Sequence, residues 1–237
     1  MEDHEKSTEL LTKEIEDLRR RIAELEETET KNRRNKEALS QSLEKLRKAT
    51  GFIIEVIAVA VEASDPYMAG HHKRVADLAQ TIASEMKLSA DIVDGIRMAG
   101  LIHDLGKISI PAEIFGQTRR LIDAEYSLVK THPEVGYQIL KEIEFARPVA
   151  LIIYQHHERI NGSGYPQALR EEEILPEARI LAVADIVEAI CTHRPYRPAL
   201  GIDRALKEIS QHRGILYDPE VVDICIHLFR KKGYKFK

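Results

Sequence analysis

Apolar side chains recur at Leu11, Ile15, Leu18, Ile22 and Leu25, in alternating steps of four and three residues. That spacing is the seam of a left-handed coiled coil. Carried forward, the same register falls on Glu29, Asn32 and Lys36, then recovers Leu39, Leu43 and Leu46, so the seam is expected to weaken in its middle. It runs on through Ile53 and Ile57 with only Gly51 as a potential breaker. Beyond residue 50 the pattern becomes the wider stripe of helices that pack into a core: Val75, Leu78, Ala79, Ile82 and Met86 in one segment, Ile180, Val183, Ala184 and Val187 in another. Helix starts are marked by Ser64-Asp65-Pro66, Ser89, Asp123 and Asp218-Pro219, and stops by Gly106, Gly116 and Gly214. No stretch sustains the two-residue alternation of a strand, so the chain is read as all-α. Residues 110–121 and 161–177, rich in Gly, Pro and polar side chains, are expected to be irregular.

Charge sharpens the boundary between these two patterns. Residues 1–50 carry 13 acidic and 12 basic side chains, too many charges for a core of their own. A coiled-coil helix over residues 1–50 and a globular domain over 51–237 are therefore expected, with a homodimer formed through the coiled coil; a solvated single helix is the plainer alternative. With 43% apolar residues in 237, the remainder can bury one substantial core. The net charge of −4 offers no broad basic field, so DNA is not an expected partner and any phosphate recognition must be local. Cys191 and Cys225 have no Cys-x-x-Cys spacing and suggest neither a disulfide framework nor a thiolate zinc site. The longest apolar run, residues 52–61, contains Glu55 and falls short of the roughly 20 residues needed to cross a bilayer. The charged first 13 residues do not resemble a signal peptide, and a cytoplasmic location is expected.

Histidines supply the chemistry. Six of the ten, His71, His72, His103, His132, His156 and His157, fall within the globular segment in pairs or beside other polar groups. Any one alone would be read as a core or capping residue; together they suggest a metal site. His103-Asp104 ends an apolar helical stretch and is followed by Leu105-Gly106-Lys107, and His156-His157 ends another at 149–154. Successive helical side chains diverge by about 100°, which suits adjacent corners of an octahedral ion, with Asp104 able to bridge to a second. Histidine and carboxylate without cysteine favours iron or manganese over structural zinc. Asp185 lies inside the apolar run 180–190, where a free carboxylate is costly unless it is paired or metal-bound.

Several ordered motifs then coincide. Asp65-Pro66-Tyr67-Met68-Ala69-Gly70-His71 through Arg74-Val75, His103-Asp104-Leu105-Gly106-Lys107, Thr131-His132-Pro133-Glu134 through Gly136, His156-His157-Glu158-Arg159 leading into Asn161-Gly162-Ser163-Gly164-Tyr165-Pro166, and Ala184-Asp185 with Arg194-Pro195-Tyr196-Arg197 span roughly residues 50–225. The chain resembles the HD-GYP family of the HD phosphohydrolase superfamily.

The resemblance implies two divalent metal ions. His71, His103, Asp104 and Asp185 would hold one and Asp104, His132, His156 and His157 the other, with Asp104 bridging. It also implies hydrolysis of cyclic di-GMP to linear pGpG and onward to GMP, with Asp104 and Lys107 in the catalytic machinery, and Lys107, Tyr165, Arg194 and Arg197 meeting the substrate. Signalling-protein partners through the Gly-Tyr-Pro loop are a further implication. The alternatives are a hybrid cyclic GMP-AMP substrate and a catalytically weak cyclic-dinucleotide sensor. His72, next to the motif histidine, is expected to be exposed or to stand behind the ligands. Tyr67 occupies the place where some members carry a glutamate supporting a third metal, so a binuclear site is expected. Asn161 and Val187-Glu188-Ala189 depart from the commoner residues at their positions.

Overall fold

The computed structural model describes residues 2–63, 68–117, 119–193 and 197–236, with side chains from residue 11 onward. The start signal at Ser64-Asp65-Pro66 and the expected substrate contact Arg194 lie outside the described residues. Among the described residues ten α-helices follow one another: α1 (Glu2–Glu62), α2 (His71–Glu85), α3 (Ala90–Ile102), α4 (Ala112–Phe115), α5 (Asp123–Val129), α6 (His132–Leu140), α7 (Val149–Gln155), α8 (Pro176–Cys191), α9 (Ile202–Gln211) and α10 (Pro219–Arg230). Short 3-10 turns occupy Leu105–Ser109 and Glu171–Glu173. Among the described residues there is no strand, only isolated bridges joining Asn161 to Arg170 and Arg213 to Tyr217. The all-α expectation is borne out.

The chain divides into two compact units, Met1–Phe52 and Ile53–Lys237. In the first, the polypeptide is helical from Glu2 onward, and the seam residues Leu11, Ile15, Leu18, Ile22, Leu25, Leu39, Leu43 and Leu46 are all exposed. A single helix has nothing within itself on which to bury such a stripe.

The second unit has a continuous apolar core. Ile54, Ala58 and Val61, from the part of α1 that belongs to this unit, are buried, as are Val75, Leu78, Ala79 and Ile82 of α2 and Ile180, Val183, Ala184 and Val187 of α8. These are the helical stripes read from the sequence. α2 packs on α3 and α8, and α6 on α7 and the Leu105–Ser109 turn. Two start signals act as expected. Ser89 precedes α3 in extended conformation, and the Asp218 carboxylate accepts hydrogen bonds from the backbone N–H of Glu220 (2.9 Å) and Val221 (3.2 Å). Asp123 instead becomes the first residue of α5, with Ile122 in the capping position. The irregular segment 110–121 contains the short helix α4.

Gly106 is not a plain helix stop. It sits inside the 3-10 turn, where a Cβ would lie 1.9 Å from the His132 carbonyl oxygen and 2.7 Å from the Gly136 nitrogen. Its missing side chain lets the turn pass directly against the start of α6. Among the described residues no helix is long and apolar enough to cross a membrane.

Candidate metal centre

Five elements deliver polar side chains to one place in the second unit. His71 and His72 open α2, His103 and Asp104 follow the last turn of α3, His132 opens α6, His156 and His157 follow α7, and Asp185 comes from the middle of α8. His71, His72, His103, Asp104, His132 and His156 are each no more than 2% exposed. Such burial of polar groups is costly unless they are bonded to each other or to a cation.

Asp104 connects two halves of the cluster. Its Oδ1 lies 3.2 Å from His132 Nε2, while Oδ2 lies 3.4 Å from His103 Nε2, 3.9 Å from His71 Nε2 and 2.7 Å from Lys107 Nζ. Asp185 Oδ1 stands 3.4 Å from His71 Nε2 and 3.8 Å from His103 Nε2. Three sets of ligand atoms lie within 4.8 Å of one another: His132, His156 and His157; His71, His103 and Asp185; and His72, His103 and Asp104. The structure thus brings together all seven residues assigned to metal from the sequence.

The histidines are oriented from behind. Nδ1 of His103, His132 and His156 donates to the carbonyl oxygen three residues earlier, Gly100 (2.9 Å), Val129 (2.7 Å) and Ile153 (2.6 Å) respectively. A carbonyl only accepts, so it assigns the proton to Nδ1 and leaves the Nε2 lone pair facing the cluster. His132 Nε2 and His156 Nε2 then face each other at 3.3 Å with no proton between them. Two lone pairs at that distance call for a cation, and the imidazole–carboxylate donor set fits a divalent one. Burial holds His103 and His156 down at about 4 and His132 at about 3. They are neutral and ready to bind metal at neutral pH. Burial acts to raise Asp104, but the Lys107 ammonium together with His103, His72 and His132 outweighs it and holds the carboxyl well below the usual range.

The chain matches the HD domain family over residues 55–221. It belongs to that family. It is 39% identical over 172 residues to the cyclic di-GMP phosphodiesterase response regulator RpfG of Xanthomonas campestris pv. campestris (strain 8004), covering 72% of this chain and 46% of that protein. It is 36% identical over 181 residues to a cyclic di-GMP phosphodiesterase of Thermotoga maritima, covering 74% and 48%. A 3'3'-cGAMP-specific phosphodiesterase 3 of Vibrio cholerae is 34% identical over 168 residues, covering 71% and 36%. The chain therefore spans less than half the length of these curated relatives. Among solved structures, Bd1817 of Bdellovibrio bacteriovorus shares the fold, with a TM-score of 0.58 at 22% identity over 68% of this chain and 51% of that one. The resemblance read from the motifs is borne out.

In this HD domain the residues expected at the substrate are placed unequally. Lys107 Nζ is hydrogen-bonded to Asp104 and lies 5.8 Å from the Phe115 ring centroid. Tyr165 sets its ring 4.7 Å from that of His157, with Lys130 Nζ 5.4 Å from its own centroid; burial pushes its phenol up. Arg197 donates from Nη2 to Ala189 O (2.7 Å) and from Nη1 to Ile190 O (3.4 Å), holding the carbonyl end of α8.

Three roles were not read from the sequence. Glu188, fully buried, bonds His71 Nδ1 with one oxygen and Arg74 Nε (2.7 Å) with the other. Glu158 accepts from the backbone N–H of Gln167 (2.7 Å) and Leu169 (3.0 Å), pinning the Gly-Tyr-Pro loop beneath the histidine pair. Gly164 lets that loop approach, since a Cβ there would lie 2.4 Å from Arg159 N and Glu158 Cα. His72, expected to be exposed or to stand behind the ligands, is 1% exposed and faces Asp104. It opens α2 beside His71, and the helix start carries both rings inward. The histidine clustering held the signal for it.

Proposed function

We propose that this HD domain is a two-metal phosphodiesterase that hydrolyses cyclic di-GMP to linear pGpG and onward to GMP. The observation that carries the reading is Asp104, whose Oδ1 faces His132 Nε2 while its Oδ2 faces Nε2 of His103 and His71 on the other side. His71, His103, Asp104 and Asp185 would hold one divalent cation and Asp104, His132, His156 and His157 the other. Iron or manganese is the expected identity, since the donors are nitrogen and oxygen without sulfur. Cations held in this way supply charge that activates water and stabilises the attacking and leaving oxygens of an in-line displacement at phosphorus.

The chain's own residues do the rest. The bond from Lys107 Nζ to Asp104 places an ammonium at the edge of the cluster, where it would neutralise a non-bridging phosphate oxygen. Tyr165, held by the loop that Glu158 pins, offers an aromatic face beside His157 to a purine base. Arg194 and Arg197 are assigned to phosphate and guanine, with Arg197 working from the end of α8 that its carbonyl bonds fix. The exposed seam of the first unit supports a homodimer, and the Gly-Tyr-Pro loop is the proposed face for signalling-protein partners.

The relatives of Vibrio cholerae that act on 3'3'-cGAMP support a second reading, in which the hybrid dinucleotide is the substrate. Both readings are tested together. The protein is purified without oxygen in the presence of iron or manganese, metal is counted per chain, and cyclic di-GMP and the hybrid are followed by chromatography beside Asp104→Ala. Two metals, turnover of cyclic di-GMP and loss of both in the variant are expected. Turnover of the hybrid alone favours the second reading. No metal with retained dinucleotide binding overturns both and leaves a sensor.

A further inference from the structure

His72 is the polar side chain in the cluster that the two-cation assignment leaves without a task. Both of its ring nitrogens are buried, and neither has a hydrogen-bond partner. Nδ1 faces Glu62 Oε1 at 3.2 Å, and Nε2 faces Asp104 Oδ2 at 3.5 Å. Neither contact is aligned as a hydrogen bond. Buried imidazoles with two unsatisfied nitrogens are rare, and each such group calls for an explanation.

The arrangement around the ring supplies one. The rings of His71, His72 and His103 form a nearly equilateral triangle, with centroid separations of 5.4, 5.2 and 5.3 Å. The opposite half of the site has its own three rings, His132, His156 and His157, converging in the same manner. A carboxylate also stands behind His72 as one does behind His71: Glu62 at Nδ1 of the first, Glu188 at Nδ1 of the second. Glu62 is itself fixed, accepting from the backbone N–H of Gly70 (2.8 Å) and His72 (3.1 Å). At 3.2 Å the Glu62 carboxylate is within reach of the Nδ1 proton once the ring turns toward it, and a carboxylate that takes that proton turns Nε2 into a ligand atom and raises its basicity.

We propose that His72 is a further ligand of the cation held by His71, His103, Asp104 and Asp185, binding through Nε2, and that Glu62 is its positioning residue. The inference rests on the two-metal reading above. It makes both halves of the centre three-histidine faces, bridged by Asp104, with Asp185 completing one of them.

The test loads the metal-free full chain with manganese(II) and measures stoichiometry and affinity by titration. The wild type is compared with His72→Ser and Glu62→Gln, alongside crystals of the wild type soaked in manganese and located by anomalous scattering. Two ions are expected in the crystal, one of them bonded to His72 Nε2. In solution, His72→Ser should retain two manganese sites with one weakened by at least about tenfold, and Glu62→Gln should weaken the same site by a factor of about 10 to 100. The crystal reading holds even if a variant does not fold. A wild type that binds no manganese overturns the two-metal reading itself. Two ions in the wild type with His72 bonded to neither, or affinities unchanged in a folded His72→Ser protein whose melting temperature has dropped, leave the metal centre standing and make His72 a charged partner of Glu62 and Asp104. Loss of a third equivalent in His72→Ser, with the other two intact, overturns the shared cation in favour of a separate site.

Discussion

A histidine that offers Nε2 to a metal needs an acceptor at Nδ1, and this site provides two kinds. His103, His132 and His156 use backbone carbonyls, which cannot be mutated away, whereas His71 depends on the Glu188 carboxylate. Glu188→Gln keeps the shape and removes the charge, so metal affinity at the His71 side should fall by about 10- to 100-fold with little change in the other site. Competition with a chelator reads this directly. The lowered histidines also set a pH dependence for the metal-free protein. An unfolded histidine titrates near 6.5, but His103 and His156 take up a proton only near 4 and His132 near 3. Between those values the unfolded state binds more protons, so stability is full above about pH 6.5 and is lost as pH falls toward 4. Burial lowers His72 as well, but Asp104 and Glu62 more than offset it and raise this one group, which is outnumbered by His103, His132, His156 and His157, all held down by burial. Melting temperature should therefore decline from pH 7 to pH 5, and a flat profile would contradict the neutral tautomers. The clustering of the histidines was legible in the sequence because most of them stand at the ends of apolar runs. Glu188 was not, because its partner His71 lies 117 residues away and no local period links them.

Most of the clustered side chains sit at helix ends, where one residue can leave the helical spiral while its neighbour remains anchored. His103 and His156 occupy the positions just after α3 and α7, and His71 and His132 are the first residues of α2 and α6. The core stripes that place those helices were readable from their 3.6-residue period. The close approaches between elements were not, because a glycine reads alike whether it ends a helix or yields space to a neighbour. Gly106 illustrates this: the sequence offered a stop, and the structure uses the glycine to bring the turn after His103-Asp104 onto the start of α6. Gly106→Ala would push a methyl group into the His132 carbonyl, which belongs to backbone and cannot rotate aside. A destabilisation of about 1–3 kcal/mol is expected from such overpacking. It should be accompanied by weaker metal binding at the His132 side, because the two ligand-bearing elements are forced apart. Denaturant titration of the metal-free variant separates these effects: unchanged stability with weakened metal binding would mean that the turn shifts without cost.

At the scale of the whole molecule, the unresolved matter in the fold is the apolar seam of the first unit, which the chain itself leaves exposed. Eight leucine and isoleucine side chains in one heptad register are costly to hydrate on every copy, and a second copy of the same helix is the simplest surface that matches their spacing. The register passes through Glu29, Asn32 and Lys36, so the middle should contribute least and the two apolar blocks most. Leu18→Asp combined with Ile22→Asp removes two buried pairs from one block. At roughly 1.5–3 kcal/mol for each large apolar side chain, that amounts to several powers of ten in the association constant. Light scattering on the full chain should find a dimer for the wild type and a monomer for the double variant at the same concentration. The converse change, Asn32→Leu with Lys36→Ile, places apolar residues at two polar positions of the register and should lower the concentration at which the dimer dissociates. If both variants leave the wild-type mass unchanged as a monomer, the first unit is a solvated single helix; if both leave a dimer of unchanged strength, the copies associate through some other surface and the seam serves a different partner.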